Sequence, residues 1–301
     1  MAVMTSWTWV LIVAALGAAA LDAAAVKEIN DFRAKHERDY RRQFVTLAGL
    51  SSLKDGVNTA GSMTTSDVVL PASLPPVVGR FIVSRERVTF EPHDGVDVVL
   101  KSQRVRARVD LKTDEADGGP DELMLGHGVS MWVHMSGDRR TIRIRDENGE
   151  PARTFRGFHW FPIDANFRVV GRFVKDAAPE TVRIPNQTGD EETYTTEGVV
   201  EFTLDGQKLA LRPMTTKPGR LYFVFRDGTS GKETYETARF LYANLSPDGT
   251  VILDFNQAYN PPCSFNPYTT CPLPPPENRL KVRILAGEKK YADAAGSRTP
   301  R

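Results

Sequence analysis

From Leu50 to Leu253 the chain is written in short runs of β-branched and aromatic residues, each closed by a turn signal within roughly 8–12 residues. Val68–Leu70, Arg80–Ser84, Val88–Phe90, Val96–Leu100 and Val105–Leu111 are the first of these runs. Met131–Met135, Val169–Phe173, Thr181–Ile184, Val199–Leu204, Lys208–Leu211, Leu221–Arg226 and Arg239–Leu245 continue them. Asp94-Gly95, Asp205-Gly206 and Asp248-Gly249 each separate two runs, the signature of a two-residue type I′ hairpin. No fixed repeat period is present, which argues against propellers and solenoids. The pattern predicts a mainly β fold, an antiparallel barrel or sandwich of many short strands.

One stretch departs from it. Between Val26 and Leu50, Ile29, Phe32, His36, Tyr40, Phe44 and Leu47 recur at steps of three and four, which predicts one N-terminal helix over 26–50 with Gly49 as its stop. His36 lies on the apolar face and reads as a core histidine. Phe155 to Pro162, FRGFHWFP, reads as an aromatic core corner.

The first 25 residues read as an address. Trp7–Leu21 is an apolar run too short to span a membrane comfortably, and Ala23-Ala24-Ala25 offers a small-residue cleavage site. Residues 1–25 are therefore expected to be a signal peptide cleaved after Ala25. The mature protein is then secreted or periplasmic, with no membrane span. No Lys or Arg precedes the run, so an uncleaved anchor is the alternative. Residues 26–291 are expected to form a single all-β domain behind the helix, and 292–301 a disordered tail.

The chain has 301 residues, enough for one large β domain or two small ones. Its 39 basic and 38 acidic residues balance, which argues against a dedicated nucleic-acid binder. Arg104, Arg106 and Arg108 alternate with Val105, Ala107 and Val109, the pattern of a solvated strand face.

Motif searches are largely negative. Gly228–Thr234 (GTSGKET) fails as a phosphate loop, because its glycines are too close and Glu233 stands where Ser or Thr is needed. It reads as a turn. His93, His127, His134 and His159 show no metal-ligand spacing and read as isolated. No metal or other cofactor is called for.

The most informative stretch follows the last strand-like run: DFNQAYNPPCSFNPYTTCPLPPPENRL, residues 254–280. It is dense in proline, which fixes φ, and it carries Phe255, Tyr259, Phe265 and Tyr268, which a solvated linker lacks. It is expected to be a rigid, packed loop bearing polar groups. The candidate catalytic residues are Asp254, Glu277 and Arg239; the candidate ligand-binding residues are Asn256, Tyr259, Asn260, Arg226, Tyr235 and Arg279. Asp254 and Asn256 point to one face of their strand, and Arg239 lies across the Asp248-Gly249 hairpin, so an Asp254–Arg239 cross-strand pair is in register. The expected partner is a small polar ligand. The competing reading is a non-catalytic structural or interaction module with a stapled lid.

Cys263 and Cys271 are the only cysteines, eight apart. A disulfide suits an exported chain; a metal pair, a nucleophilic thiol and free structural thiols are the other readings.

The 254–280 stretch, followed by Ala286-Gly287-Glu288-Lys289, resembles the signature of the bacterial and archaeal domain-of-unknown-function family numbered 1684. Phe225–Gly231 (FRDGTSG), Glu233-Thr234-Tyr235 and Arg239-Phe240-Leu241 are similar to its middle block. Leu47–Leu50, Gly56-Val57-Asn58 and Val68–Pro71 are similar to its opening, so the resemblance runs over about residues 40–291. Thr237-Ala238 departs from it, where a glycine is usual. The resemblance implies a single domain and a bacterial or archaeal origin, and supplies no activity.

Overall fold

The computed structural model describes residues 21–85 and 87–291. Most of the expected signal peptide and all of the expected tail lie outside the described residues. Asp22 opens helix α1 (Ala23–Tyr40), its carboxylate accepting the Ala25 N–H at 2.7 Å. The Ala25–Val26 bond therefore lies in the first turn of α1. At its other end the helix stops short of the expected boundary. Arg41–Val45 widen into a π turn, and Leu47–Ser52 form strand β1. Leu47 and Leu50 keep helical spacing, but tertiary pairing decides: β1 hydrogen-bonds to a strand nearly a hundred residues later.

Ten further strands follow in the first half: β2 (Gly56–Gly61), β3 (Val68–Val69), β4 (Gly79–Ser84), β5 (Arg87–Pro92), β6 (Val99–Leu100), β7 (Gln103–Arg104), β8 (Val109–Leu111), β9 (Leu123–Gly126), β10 (Val129–Ser136) and β11 (Arg139–Asp146). They make two sheets, ordered β1-β11-β10-β9-β6-β7 and β3-β2-β4-β5-β8. After a short helix, α2 (Glu150–Thr154), come β12 (Arg168–Pro185), β13 (Glu191–Leu204), β14 (Gln207–Leu211), β15 (Met214–Lys217), β16 (Arg220–Phe225), β17 (Arg239–Asn244) and β18 (Thr250–Asp254). These make the sheets β14-β13-β12-β18 and β15-β16-β17. Every pair is antiparallel except β2–β3.

The fold is sandwich-like and does not close into a barrel. Phe81, Phe90, Met131, Val133, Ile142 and Ile144 join the first two sheets in one buried core. A second core joins the last two through Val200, Phe202, Phe223, Phe225, Leu241 and Leu253, with Phe255, Ile284 and Ala286 sealing it. A third cluster lies on the opposite face of β16–β17, where Tyr222, Val224 and Phe240 meet Phe32 and Tyr40 of α1, Tyr259 and both cysteines. The β16 run LYFVF is thus buried on both faces, which explains its lack of polar alternation.

The Asp-Gly hairpins divide. Asp205 and Gly206 both have positive φ, at 50° and 70°, as a type I′ turn requires. At Asp94-Gly95 and Asp248-Gly249 only the glycine does, so these turns are of another type. Phe155 and Phe158 bury as an edge-to-face pair, as the aromatic corner predicts. Arg104, Arg106 and Arg108 are exposed.

The seam between the two sandwiches is polar. His134 on β10 bonds Asp114 at 2.5 Å through Nδ1, while its Nε2 faces Arg143 at 2.8 Å and Thr270 at 3.4 Å. It is not the isolated histidine that spacing suggested, because all three partners are distant in sequence or across a strand. Nearby, Asp190 accepts from Ser136 at 2.5 Å, Arg139 at 2.6 Å and Thr188 at 3.0 Å. The Arg139 bond is the main reason its carboxyl is pulled down to about 2. Its contribution to stability is then fully present above the unfolded value near 4, and is lost as pH falls through about 2. Asp190→Asn is expected to flatten the acid limb of the stability curve over that window, measured by urea unfolding at stepped pH. An unchanged slope would show that Asp190 does not set it.

Candidate functional site

The proline-rich segment is held down by amides. Asn256 is fully buried: it exchanges hydrogen bonds with the Asp164 backbone at 2.9 Å in both directions, and its carbonyl accepts Arg33 Nη2 at 3.1 Å. Asn260 Nδ2 donates to Glu288 Oε1 at 3.1 Å and to the Lys289 carbonyl at 2.8 Å, while its own N–H reaches Glu288 Oε2 at 3.0 Å. Asn266 donates to the Phe44 and Leu47 carbonyls, and Asn278 to those of Arg212 and Val224. Each amide replaces a missing ladder partner for irregular backbone. Cys263 and Cys271 are disulfide-bonded, with Cα atoms 6.4 Å apart. Closing so short a loop contributes about 2–3 kcal/mol, less where prolines already stiffen the unfolded chain.

The three candidate catalytic residues take three different partners. Arg239 is sealed: it pairs with Asp227, donates to the Ala286 and Ile284 carbonyls, and lies 5.0 Å from the Phe225 ring centroid. Burial pulls its pKa down, and Asp227 opposes that. Asp254 pairs with Arg168, which stands directly opposite it across β12–β18. The expected Asp254–Arg239 pair is therefore not formed. The reason is topological: β18 hydrogen-bonds to β12, not along its length to β17. Glu277 is exposed and 3.5 Å from Arg212.

The expected ligand-binding residues scatter too. Tyr259 is buried against Phe32, His36, Tyr40 and Phe240, and burial raises its pKa. Tyr235 accepts from Gln187 at 2.8 Å and donates to the Cys263 carbonyl at 3.3 Å. Arg226 bonds through its backbone to Asn278 and Leu280, and Arg279 is exposed, 3.4 Å from the Pro274 carbonyl.

One of the candidates does line a cavity. A cleft of about 470 Å³ opens between α1 and the β17–β18 end of the second sandwich, walled by Glu28, Phe32, Arg168, Arg220, Tyr242, Asn244, Ser246, Ile252, Asp254 and Gln257. Neither Arg239 nor Glu277 lines it. Asp254 sits at 5 % exposure, one oxygen on Arg168 and the other taken by the Asn256 N–H and side-chain amide. Arg168 also reaches Glu28 at 3.2 Å. Burial works against the Arg168 charge, but Asp254 and Glu28 together outweigh it, so its pKa lies above the ordinary value. Arg220 lies 4.5 Å from the Tyr242 ring centroid, and Tyr242 stacks on Tyr222 at 4.7 Å.

Sequence reasoning missed Arg168, Arg220, Asp227 and Glu288. Asp227 had a signal: Asp-Gly-Thr-Ser-Gly is an Asx-turn sequence, and its Oδ1 accepts the Thr229 N–H at 2.6 Å. Glu288 had one in the Ala-Gly-Glu-Lys block. Arg168 and Arg220 carry no local signal. Among the described residues no group of three or more His, Cys, Asp or Glu is placed to hold a metal, and no helix is long and apolar enough to cross a membrane.

Comparison with known proteins gives a family without an assigned chemistry. No curated protein matches the chain. Among solved structures it is similar to the solution NMR structure of an uncharacterized protein from gene locus rrnAC0354 of Haloarcula marismortui. The identity is 28%, over 48% of this chain and 82% of that one, with a TM-score of 0.40. The family model described as "Protein of unknown function (DUF1684)" matches residues 153–289, the segment that holds the second sandwich, the cleft's Arg168, Arg220 and Asp254, and the stapled loop. This match over residues 153–289 supports assigning the chain to that DUF1684 family.

Proposed function

We propose that this is an exported protein that binds a small polar ligand in the cleft between α1 and the β17–β18 end of the second sandwich. The proline-rich segment serves as the rigid scaffold beneath the site. The observation that carries the reading is unspent hydrogen-bonding capacity converging on one concavity. Asn244, Ser246 and Gln257 line the cleft, and among the described residues their side chains make no hydrogen bond. Scattered exposed polar side chains are ordinary; two amides and a hydroxyl around one cavity with two arginines and two carboxylates form a polar site. Export rests on the apolar run and small residues of the N-terminus.

The competing reading, a structural module with a stapled lid, draws on the sealed asparagines of 254–280. Those residues fix the loop under either reading, so the test is whether the cleft binds. Amide chemical shifts recorded while titrating small polar compounds decide it. Saturable shifts grouped on Glu28, residues 242–246 and Gln257, lost in Asn244→Ala/Gln257→Ala at unchanged melting temperature, are expected. Shifts confined elsewhere, or none at all, would leave the structural module as the function.

A further inference from the structure

We infer that the ligand of this cleft carries a single anionic group, a carboxylate or phosphate-type group, that Arg220 holds; this rests on the binding reading above. Charge balance comes first. Three guanidinium groups stand on or beside the cleft, those of Arg33, Arg168 and Arg220, against two carboxylates, Glu28 and Asp254. Arg168 is shared by both acids. Arg33 faces the Asp254 field, rests on the Asn256 carbonyl and lies 4.9 Å from the Trp160 ring centroid. Neither Arg33 nor Arg220 has a carboxylate within ion-pair distance among the described residues, but Arg33 spends its N–H groups on the Asn256 carbonyl, so Arg220 is the uncommitted cation of the cleft.

Its presentation is the second point. Gly219, at φ +72°, turns β15 into β16 and sets Arg220 as the first residue of that strand, opposite Asn244. The guanidinium lies against Tyr242, which is itself stacked on the buried Tyr222. Over the ring, the guanidinium's N–H edge makes no hydrogen bond or ion pair among the described residues. That edge is the part that takes a carboxylate or phosphate in a two-point bond. Held this way, the side chain loses little further freedom on binding.

The acids set the limit to one anionic group. Glu28 is exposed on the rim and Asp254 lies on the floor, both on the Arg168 side. A second anionic group there would meet two carboxylates whose only direct cation is already shared. The body of the ligand is therefore neutral, or cationic toward Glu28, with Asn244, Ser246 and Gln257 as its hydrogen-bonding contacts.

The test uses acetate, methyl phosphate and neutral N-methylacetamide as probes on the intact protein. The readout is the Arg220 side-chain Nε–H signal together with the cleft amides. Acetate, methyl phosphate or both are expected to move the Arg220 signal saturably, while N-methylacetamide does not. Arg220→Gln is expected to weaken binding of the active anion at least about tenfold, with Arg220→Lys between. A response to acetate alone assigns a carboxylate, and to methyl phosphate alone a phosphate ester. Cleft amides that respond to N-methylacetamide while neither anion moves Arg220 would sink the anion and spare the cleft. Silence of all cleft residues to all three probes would overturn both.

Discussion

Replacing Arg239 by methionine is expected to destabilise the protein by about 3–5 kcal/mol, the usual cost of removing one partner of a buried ion pair. Both side chains of the Arg239–Asp227 pair are fully sealed. Methionine fills most of the volume and supplies no charge, so Asp227 is left as a buried carboxylate with only the Thr229 donors. The Ala286 and Ile284 carbonyls lose a donor as well, and these lead into Glu288 and Lys289, which hold Asn260. Urea unfolding measures the loss. Asp227→Asn/Arg239→Met is expected to recover part of it, since Asp227→Asn removes the orphaned charge. Glu277→Gln, at an exposed position, is expected to stay within about 0.5 kcal/mol of the parent. A loss below about 1 kcal/mol for Arg239→Met would mean that the pair does not anchor the segment. The contrast separates two residues that the sequence placed in one site. Sealed from solvent, Arg239 can meet no ligand, whereas its loss reaches the scaffold beneath the cleft.

What was legible in the sequence was local. Alternation and turn residues specify strands, and proline with aromatics specifies a packed loop, so the β architecture and the rigid 254–280 segment were readable. The disulfide was readable because only two cysteines exist, close together in a chain read as exported. Partners were not readable. Asp254 meets Arg168 because β18 joins the sheet of β12, and no spacing rule shows which of several strands will neighbour it. The same holds for Asn260 and Glu288, and for His134 with Thr270, whose sequence separations are 28 and 136. The error at β1 has the same origin: a helical period continues through Leu47, and a strand pairing formed far along the chain overrides it. Arg220 is a different case. It becomes notable only through the lack of a carboxylate near it among the described residues, and that is a property of the assembled surface.

Gly287→Ala is the second large effect expected, a loss of at least about 3 kcal/mol. Gly287 has φ +82°, where any Cβ is strained at a cost of about 1–2 kcal/mol. That term is the smaller one. A Cβ there would lie 2.3 Å from the Ala258 carbonyl oxygen and 2.7 Å from that of Phe255, both backbone atoms of the proline-rich segment. These oxygens cannot swing aside as a side chain would. The Ala258 oxygen accepts the Glu288 N–H at 2.8 Å, and the Phe255 oxygen accepts the Ala258 N–H at 3.0 Å. Relieving the clash must lift the 255–258 turn off the 286–288 segment, which also pulls Glu288 from Asn260. Gly249 is the control: its φ is +84°, but a Cβ there would have its nearest heavy atom 3.9 Å away. Gly249→Ala is therefore expected to show the backbone strain alone, about 1–2 kcal/mol. Urea midpoints of the two variants measure the difference. If Gly287→Ala costs no more than Gly249→Ala, the close approach of the two segments is not what holds the loop in place.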